Sequence, residues 1–277
     1  MRQVPSIVSL DATPINYDSV GLPYNHRAAG GGPLDRQKFK LNRRALRAAR
    51  GLIAWSEWTK NSLIEDYGVD PRSIRVVAPG VPSSFFRVGE ARLSRLDSER
   101  ADRVRILFVG GDFARKGGPM LLELMRGRLA EQIELHIVTH ASIPSQPGVF
   151  VYRGVEPNSQ LLHELFARAD LFVLPTLADC FAVALEEAAA AGLPVITTNV
   201  GALREAVDDG NSGIVIDRGD RRALEEAVRS LVLDAPRRAQ MGRRGHVLAR
   251  ERFDAERNTR TVLDFVHAIA EAKTMLS

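Results

Sequence analysis

The stretch LFVLPTLADCFAVALEEAAAAGLPVITTNV, residues 171–200, decides the fold of this chain. It begins with four consecutive apolar residues, which are typical of a strand that is buried on both faces of a parallel sheet. After a short loop, the segment 183–191 is rich in Ala, Leu and Glu and predicts a helix that Gly192 ends. A second apolar strand follows at 194–198. A strand, a helix and a strand in about thirty residues predict two parallel strands with a right-handed crossover.

Two acidic side chains flank the start of this helix. Ligands of open parallel sheets bind beyond the carboxyl ends of the strands, and backbone N–H groups at a helix N-terminus attract phosphate. Asp179 and Glu187, with seven residues between them, can face the same ligand there. Glu186 and Glu187 are about 100° apart on a helix, so only one of the two can point at that ligand.

The stretch resembles the signature of the family-4 retaining glycosyltransferases of the GT-B fold. In that signature an acidic residue, seven others and a Glu follow a Pro-Ser or Pro-Thr strand end, and the match here runs from Pro175 to Val195. The resemblance implies that Glu187, not Glu186, binds the ribose hydroxyls of a sugar nucleotide. It also implies that Asp179 lies beside the hydroxyls of the transferred sugar.

The loop between the two acids departs from the family pattern. Asp179 stands where Glu is commoner, and Cys180 and Ala182 stand where the family usually has Gly. A shorter acid can change which sugar is accepted, and side chains in the loop restrict the approach of the backbone to the donor. We expect Phe181 and the amides of Ala182 and Val183 to contact the donor. Cys180 has two interpretations, a small packed loop residue or a reactive thiol.

A Gly-rich turn, GGDFARKGG at residues 110–118, follows a second buried strand at 104–109. Glycines such as Gly110 let the backbone approach a phosphate, and the cations of Arg115 and Lys116 oppose its charge. The turn is neither a Walker loop nor a G-x-G-x-x-G motif, so alone it is a weak signal. The family has a strand, a Gly-rich turn and Lys-Gly at this place. The resemblance therefore implies that Lys116 binds the donor diphosphate.

The Gly-rich turn also departs from the family, because Gly111 replaces the usual Arg after the first glycine. Arg115 can supply the missing phosphate contact if the turn aims it inward, and otherwise it is a solvated cation. Gly154 and Val155 follow another predicted strand, at 149–152. In the family, main-chain groups at this place meet the nucleobase, so we expect Val155 to contact it.

Length and composition exclude several classes of protein. The 277 residues, 45% of them hydrophobic, suffice for one large domain or two modest ones. No run of eighteen apolar residues and no signal peptide are recognisable, so a cytoplasmic protein is expected. The single cysteine excludes an internal disulfide, and six scattered histidines offer no repeated metal-ligand spacing. We therefore expect no metal and no cofactor apart from the sugar nucleotide, which is a substrate.

The net charge of +4 is mildly basic, without the aromatic and basic motifs of a nucleic-acid binder. Residues 36–50 form a local cluster of seven Lys or Arg and no acid. On a helix, such a cluster can touch anionic lipid at the inner face of a membrane, or a polyanionic acceptor. The alternative interpretation is a solvated helix face.

Residues 1–88 are expected to form an acceptor-side Rossmann-like domain that is incomplete. Three strands are expected, at 4–10, 52–55 and 74–78, whereas such a domain needs about six. Residues 15–35 are rich in Gly, Asn, Pro and Tyr, and they predict a loop. An incomplete sheet exposes a strand edge, which predicts oligomerisation or poor solubility.

The fold class predicted for the whole chain is α/β, with two Rossmann-like domains of GT-B type. A polar linker is expected at 87–103, a nucleotide-sugar-binding domain at 103–250, and a crossover helix at 251–277. In GT-B enzymes such a C-terminal tail crosses back onto the N-terminal domain.

The function that the resemblance implies is transfer of a sugar from a nucleotide diphosphate to an acceptor glycan or lipid-linked glycan, with retention of configuration. Lys116, Arg115 and Asp179 are the expected catalytic residues. By the same analogy, polysaccharide synthesis is the expected process. Two alternatives stay open: a remnant or donor-binding module that binds a nucleoside diphosphate without transfer, and an unrelated dinucleotide binder. The absence of G-x-G-x-x-G speaks against the dinucleotide binder.

Overall fold

The structure of the protein is a computed structural model, which describes residues 6–26, 28, 30–95 and 102–274. The chain divides into two compact units: residues 1–80 with 255–277, and residues 81–254. Residues 4 and 5 of the predicted first strand and residues 275–277 of the predicted last helix lie outside the described residues. Among the helices of the described residues, none is both long and apolar enough for a membrane span.

The first unit contains a small parallel sheet. Its elements before residue 80 are β1 (Ile7–Leu10), α1 (Pro14–Val20), α2 (Pro33–Ala48), β2 (Gly51–Ala54), α3 (Glu57–Glu65) and β3 (Ile74–Val76). The three strands pair in parallel in the order β1-β2-β3. Ser56 caps α3 by accepting a hydrogen bond from the Thr59 amide, and Gly68 adopts a φ of 65° beyond the helix. Leu52, Ala54, Leu63, Tyr67, Val69 and Ile74 form the core of this unit.

The second unit contains a six-stranded parallel sheet in the order β6-β5-β4-β7-β8-β9. Its first elements are α4 (Ser83–Leu93), β4 (Val104–Val109), α5 (Gly118–Leu124), β5 (Ile133–Val138), β6 (Val149–Tyr152) and α6 (Gln160–Arg168). Its remaining elements are β7 (Leu171–Leu174), α7 (Val183–Ala190), β8 (Val195–Thr198), β9 (Gly213–Ile216), α8 (Arg221–Leu233) and α9 (Ala235–Arg252).

The stretch at 171–200 forms β7, α7 and β8, and the two strands pair in parallel, as the sequence predicts. β7 also pairs with β4 at the centre of the sheet. The chain leaves β4 towards β5 and leaves β7 towards β8, so the strand order reverses between β4 and β7. In parallel sheets of this kind the carboxyl ends of two such strands border the crevice where ligands bind.

The last helix, α10 (Ala255–Thr274), follows α9 after a break at 253–254 and belongs to the first unit. It packs on β2 at Gly51, where a Cβ atom would lie 2.3 Å from the Ile269 side chain. The side chain of Asn258 donates a hydrogen bond to the carbonyl oxygen of Ala78 over 3.1 Å. The helix therefore closes one face of the small sheet.

The loop expected at 15–35 is wrong, because the segment contains most of α1 and the first residues of α2. Thr13 accepts a hydrogen bond from the Asn16 amide, and Pro14 occupies the first helical turn. Thr followed by Pro is a good helix start, since the hydroxyl caps the helix and the first turn needs no N–H from Pro.

The linker expected at 87–103 is wrong in its first part, because α4 extends to Leu93. Phe85, Gly89 and Arg92 are buried and recur every three or four residues, which is the period of a packed helix face. Phe85 contacts Phe166 of α6 with ring centroids 5.2 Å apart. α4 therefore packs within the second unit, which begins at residue 81. Residues 96–101 of the expected linker lie outside the described residues.

Candidate functional site

Lys116 and Asp179 meet at the carboxyl ends of β4 and β7. The Lys116 Nζ atom forms an ion pair with a carboxylate oxygen of Asp179, and the two side chains are only 15% and 7% exposed. Desolvation of two charges opposes folding, so a pair this buried is weak evidence for stability and invites a functional interpretation. The pair joins the Gly-rich turn to the loop of the 171–200 stretch.

Arg115 ties the same two loops together. Its Nε atom lies 3.1 Å from an Asp112 carboxylate oxygen, and its Nη1 atom donates to the carbonyl oxygen of Ala178 over 2.7 Å. The Leu177 amide donates in turn to the Arg115 carbonyl oxygen. The Arg115 side chain is 14% exposed, so it is not the solvated cation of the alternative interpretation.

The Gly-rich turn packs directly against the end of β7. Gly117 has a φ of 80°, and a Cβ atom there would lie 1.9 Å from the carbonyl oxygen of Pro175. At Gly110 a Cβ atom would lie 3.1 Å from Cγ of Lys116. The carbonyl oxygen of Gly111 accepts a hydrogen bond from the Thr139 hydroxyl over 3.0 Å. These glycines bring the turn and its lysine close to the β7 loop.

The loop that carries Asp179 rests on the end of β8. The Thr198 hydroxyl donates to the Thr176 carbonyl oxygen over 2.7 Å. Gly201 has a φ of 54°, and a Cβ atom there would lie 2.3 Å from the carbonyl oxygen of Asp179. Cys180 of this loop is buried. The sequence alone did not predict the supporting roles of Thr198 and Gly201. The available signal was the position of Gly201, a glycine just after the predicted strand 194–198.

Two helices begin at this edge of the sheet without a side-chain cap. α5 begins after Gly117 and α7 after Ala182, and neither N-cap residue provides a side-chain acceptor for a backbone amide. Side chains do cap α3, α6, α8 and α9, whereas α4 also lacks a side-chain cap. In α5 the amides of Gly118 and Met120 already donate to carbonyl oxygens, and Pro119 between them has no N–H. The start of α7 is therefore the one of these two helix ends that can offer N–H donors to an anion beyond β4 and β7.

The two adjacent acids of α7 lie in different surroundings. Glu186 is fully buried, and within the described residues its two carboxylate oxygens have no hydrogen-bond partner. Burial, with a smaller contribution from the charge of Glu187, raises the pKa of Glu186 to about 9. Burial raises the pKa of Glu187 to about 7, but this residue keeps part of its surface exposed. Glu187 is therefore the acid of this pair that a ligand can reach.

The remaining predicted donor residues also follow strand ends or helix starts. Val155 is partly exposed just beyond β6, after Gly154 with a φ of 69°. Phe181 is partly exposed and Val183, the first residue of α7, is exposed. Across the parts of the chain that the structure describes, no group of three or more His, Cys, Asp or Glu is arranged to hold a metal ion.

The parallel sheets, the reversal of strand order at β4 and β7, and the buried ion pair define an α/β protein of GT-B type. Residues 103–234 match the family model described as Glycosyl transferases group 1. Residues 14–85 match the model described as Glycosyltransferase Family 4. The two matches together span most of the chain, which therefore belongs to the family-4 glycosyltransferases.

Curated relatives agree with this assignment. D-inositol 3-phosphate glycosyltransferase from Geodermatophilus obscurus is 30% identical over 268 residues, which is 88% of this chain and 58% of the relative. D-inositol 3-phosphate glycosyltransferase 2 from Catenulispora acidiphila is 32% identical over 212 residues, which is 69% of this chain and 49% of the relative. The chain thus spans about half to three fifths of the length of these relatives.

Solved structures share the fold. Sucrose-phosphate synthase from Thermosynechococcus elongatus superposes with a TM-score of 0.76 at 18% identity, covering 96% of this chain and 68% of that one. Anabaena HepE in complex with UDP and glucose superposes with a TM-score of 0.71 at 15% identity, covering 95% and 71%. At these identities the likeness establishes the fold alone.

Proposed function

We propose that the second unit binds the nucleoside diphosphate part of a sugar nucleotide and that the chain transfers the sugar with retention of configuration. The buried pair of Lys116 and Asp179 is the observation that carries the proposal. It lies at the ends of β4 and β7, beside the uncapped helices α5 and α7. Membership of the family-4 glycosyltransferases supports the same reaction.

Lys116 has the charge that the difficult step of this reaction requires. When the bond between the sugar C1 atom and the diphosphate oxygen breaks, negative charge grows on the diphosphate. A cation and N–H donors placed in advance at that position stabilise the transition state, and one such donor contributes about 3 kcal/mol. Lys116 and the amides at Ala182 and Val183 are the donors that we assign to this role. Arg115 acts with them by fixing the two loops.

Asp179 is released when the donor binds. The diphosphate takes the lysine as its counterion, so the Asp179 carboxylate becomes available to accept hydrogen bonds from sugar hydroxyls. The acceptor hydroxyl then attacks C1 on the face that the diphosphate leaves, and its proton passes to the leaving phosphate oxygen. Bond breaking and bond forming on one face retain the configuration without a protein nucleophile.

Glu187 is our candidate for the ribose hydroxyls. Glu187 is partly exposed one turn from the start of α7, and an ionised carboxylate accepts two hydrogen bonds from a diol. We assign the nucleobase to the main chain at Val155 and assign Phe181 to the donor contact. HepE was crystallised with UDP, which makes UDP the first nucleotide to test.

Thermal unfolding with UDP, GDP, ADP and NAD in turn tests donor binding. A ligand at a hundred times its dissociation constant stabilises the folded state by about 2.7 kcal/mol, which shifts Tm by several degrees. We expect one nucleoside diphosphate to stabilise the wild type and Glu225→Ala, a matched change of an exposed glutamate on α8. Glu187→Ala should abolish the shift. Stabilisation by NAD alone would refute the proposal.

Turnover separates transfer from binding. Release of UDP from UDP-glucose should depend on the presence of an acceptor. The first acceptors to test are phosphorylated inositol, which the names of the relatives mention, and lipid-linked glycans. The second candidate function is a donor-binding module that holds the nucleotide and transfers nothing. The residues that we assign to the donor, Lys116, Asp179 and Glu187, all lie in the second unit, which would suffice for such a module. Nucleotide binding without turnover on any acceptor would establish it.

We also propose that α2 contacts an anionic surface, a membrane or a polyanionic acceptor. Leu34 and Leu41 are 73% and 59% exposed on this helix, and Lys38 lies between them on the same side. Exposed apolar residues among cations are typical of a helix face that binds anionic lipid, whereas a face that contacts only water needs no apolar residues. Sedimentation with phosphatidylglycerol vesicles, but not with phosphatidylcholine vesicles, is expected. Leu41→Ser with Lys38→Ser should abolish it.

A further inference from the structure

We propose that the second unit has another binding site, for an anion with several phosphate charges, in a cavity between α4 and α6. The cavity has a volume of about 520 Å³. One face of each helix lines it, together with Arg105 near the start of β4 and Asp170 just before β7. It therefore lies at the amino ends of the strands, on the edge of the sheet opposite Lys116 and Asp179.

The lining of the cavity is strongly cationic. The lining has five guanidinium groups and two carboxylates, those of Glu164 and Asp170. Two of the guanidinium groups are paired, Arg168 with Glu164 at 4.0 Å and Arg105 with Glu134 at 3.6 Å. The five arginines are Arg87, Arg92, Arg95, Arg105 and Arg168. Asp170 is already engaged, since it accepts a hydrogen bond from the Arg105 amide over 2.8 Å. The excess of positive charge selects an anion and rejects neutral or cationic ligands.

Arg92 is a buried cation at the side of this cavity. It is only 8% exposed, and its Nε and Nη1 atoms donate to the carbonyl oxygens of Ala169 and Gly192 over 2.9 and 2.6 Å. Burial lowers the pKa of Arg92 to about 10, so the guanidinium remains charged at neutral pH. Two neutral carbonyls satisfy part of its five N–H donors, and the carboxylate of Asp170 offsets only part of the cost of burying its charge. A buried cation in this state favours an anionic partner.

His163 adds a polar group to the same lining. Its Nε2 atom is buried and has no hydrogen-bond partner within the described residues. Burial and the charge of Arg87 lower the pKa of His163, so the ring is neutral at pH 7. The ring lines the cavity, but this buried nitrogen is closed to solvent. The guanidinium groups therefore carry the proposal.

Phosphate is the anion that matches these groups. Guanidinium binds phosphate oxygens through two parallel hydrogen bonds, and several arginines around one cavity suit several phosphate charges. The volume exceeds what a single phosphate needs. A polyphosphate, the phosphate chain of a nucleotide, or a multiply phosphorylated headgroup shares this chemistry. The inference does not depend on the donor site.

Calorimetric titration with inorganic tripolyphosphate tests the proposal. All proteins carry Lys116→Met, which removes the expected phosphate ligand of the donor site. We expect saturable binding by this protein, and at least tenfold weaker binding after Arg87→Gln with Arg168→Gln, two exposed side chains. The matched control is Arg222→Gln with Arg229→Gln on the exposed face of α8, which should change affinity less than twofold.

Two results would overturn the second site: no saturable binding at about 1 mM tripolyphosphate, or equal losses in the cavity and control variants. Circular dichroism of each variant confirms folding, since all four arginines are exposed. Titration with ATP and with a soluble inositol bisphosphate distinguishes the sources. Tighter binding of one of them by the Lys116→Met protein, lost in the cavity variant, identifies a nucleotide or a phosphorylated headgroup as the ligand.

Discussion

The two edges of the six-stranded sheet are built differently. At the carboxyl edge, opposite charges neutralise each other, as in Lys116 with Asp179, and glycines let the loops approach within backbone contact. At the amino edge, arginines from two helices surround a cavity and outnumber the acids there. The carboxyl edge depends on backbone geometry, whereas the amino edge depends on side-chain charge. Substitutions at the two edges should therefore have different consequences for stability.

The largest effect is expected at Gly117. Gly117→Ala places a methyl group against the carbonyl oxygen of Pro175 and imposes a left-handed conformation on Ala. Gly219 has a similar φ of 78° with no atom within 4 Å of an added Cβ, so Gly219→Ala is the matched control. Urea unfolding should show a loss of about 1 kcal/mol for the control and at least about 3 kcal/mol for Gly117→Ala. Equal losses would show that the close approach is unimportant.

The second-largest effect is expected when the ion pair between Lys116 and Asp179 is broken. Lys116→Met leaves the Asp179 carboxylate buried without its cation, which should cost about 3 kcal/mol of unfolding free energy. Asp179→Asn in the same protein removes the buried charge and should recover part of the loss. A double-mutant cycle measures the coupling, which we expect to be about 1–3 kcal/mol. Additive effects of the two substitutions would mean that the pair is not formed in solution.

Glu186 should make stability depend on pH. Its pKa is raised to about 9 in the folded protein from an ordinary value of 4.5, so the folded state holds its proton more tightly. The stability that this proton contributes is complete below pH 4.5 and is lost as the pH rises towards 9. Relative to Glu186→Leu, the wild type should lose about 1.4 kcal/mol per pH unit between pH 6 and 8. Parallel stability curves for the two proteins would contradict the burial of this acid.

The smallest effect concerns nucleotide affinity and Glu187. Its pKa is raised to about 7, and the ribose hydroxyls require the ionised carboxylate. Affinity for UDP should therefore fall about tenfold from pH 8 to pH 6, because the proton competes with the ribose for the carboxylate. Glu187→Gln should bind weakly and lose this dependence. The same pH profile in wild type and Glu187→Gln would remove Glu187 from the site.

Local patterns in the sequence predict most of the second unit. The apolar runs of β4, β7 and β8 and the capping Asp220 of α8 depend on neighbouring residues only, so the sequence suffices to recognise them. Most of α4 was not predicted as a helix, because its charged residues are typical of a linker. Its buried face becomes visible only through packing partners far along the chain, such as Phe166 for Phe85.

The candidate site could be predicted as a set of residues but not as an arrangement. Lys116 and Asp179 are 63 positions apart, and the sequence suggests separate roles for them without the ion pair that joins them. The direction of Arg115 depends on the backbone of its turn, which brings the side chain to Ala178. The burial of Glu186 likewise depends on the helices around α7. Each of these features comes from tertiary contacts rather than from local sequence.

The most direct test of the account is a calorimetric titration of UDP into the wild type and Lys116→Met at pH 8, with Lys60→Met as a matched lysine control on α3. All three proteins also carry Arg87→Gln with Arg168→Gln, so that UDP does not bind in the cavity between α4 and α6. We then expect one UDP per chain wherever Lys116 is present, and at least tenfold weaker binding for Lys116→Met, because a charge-assisted contact to phosphate is lost. Equal affinity in all three proteins would contradict the donor site at the ends of β4 and β7.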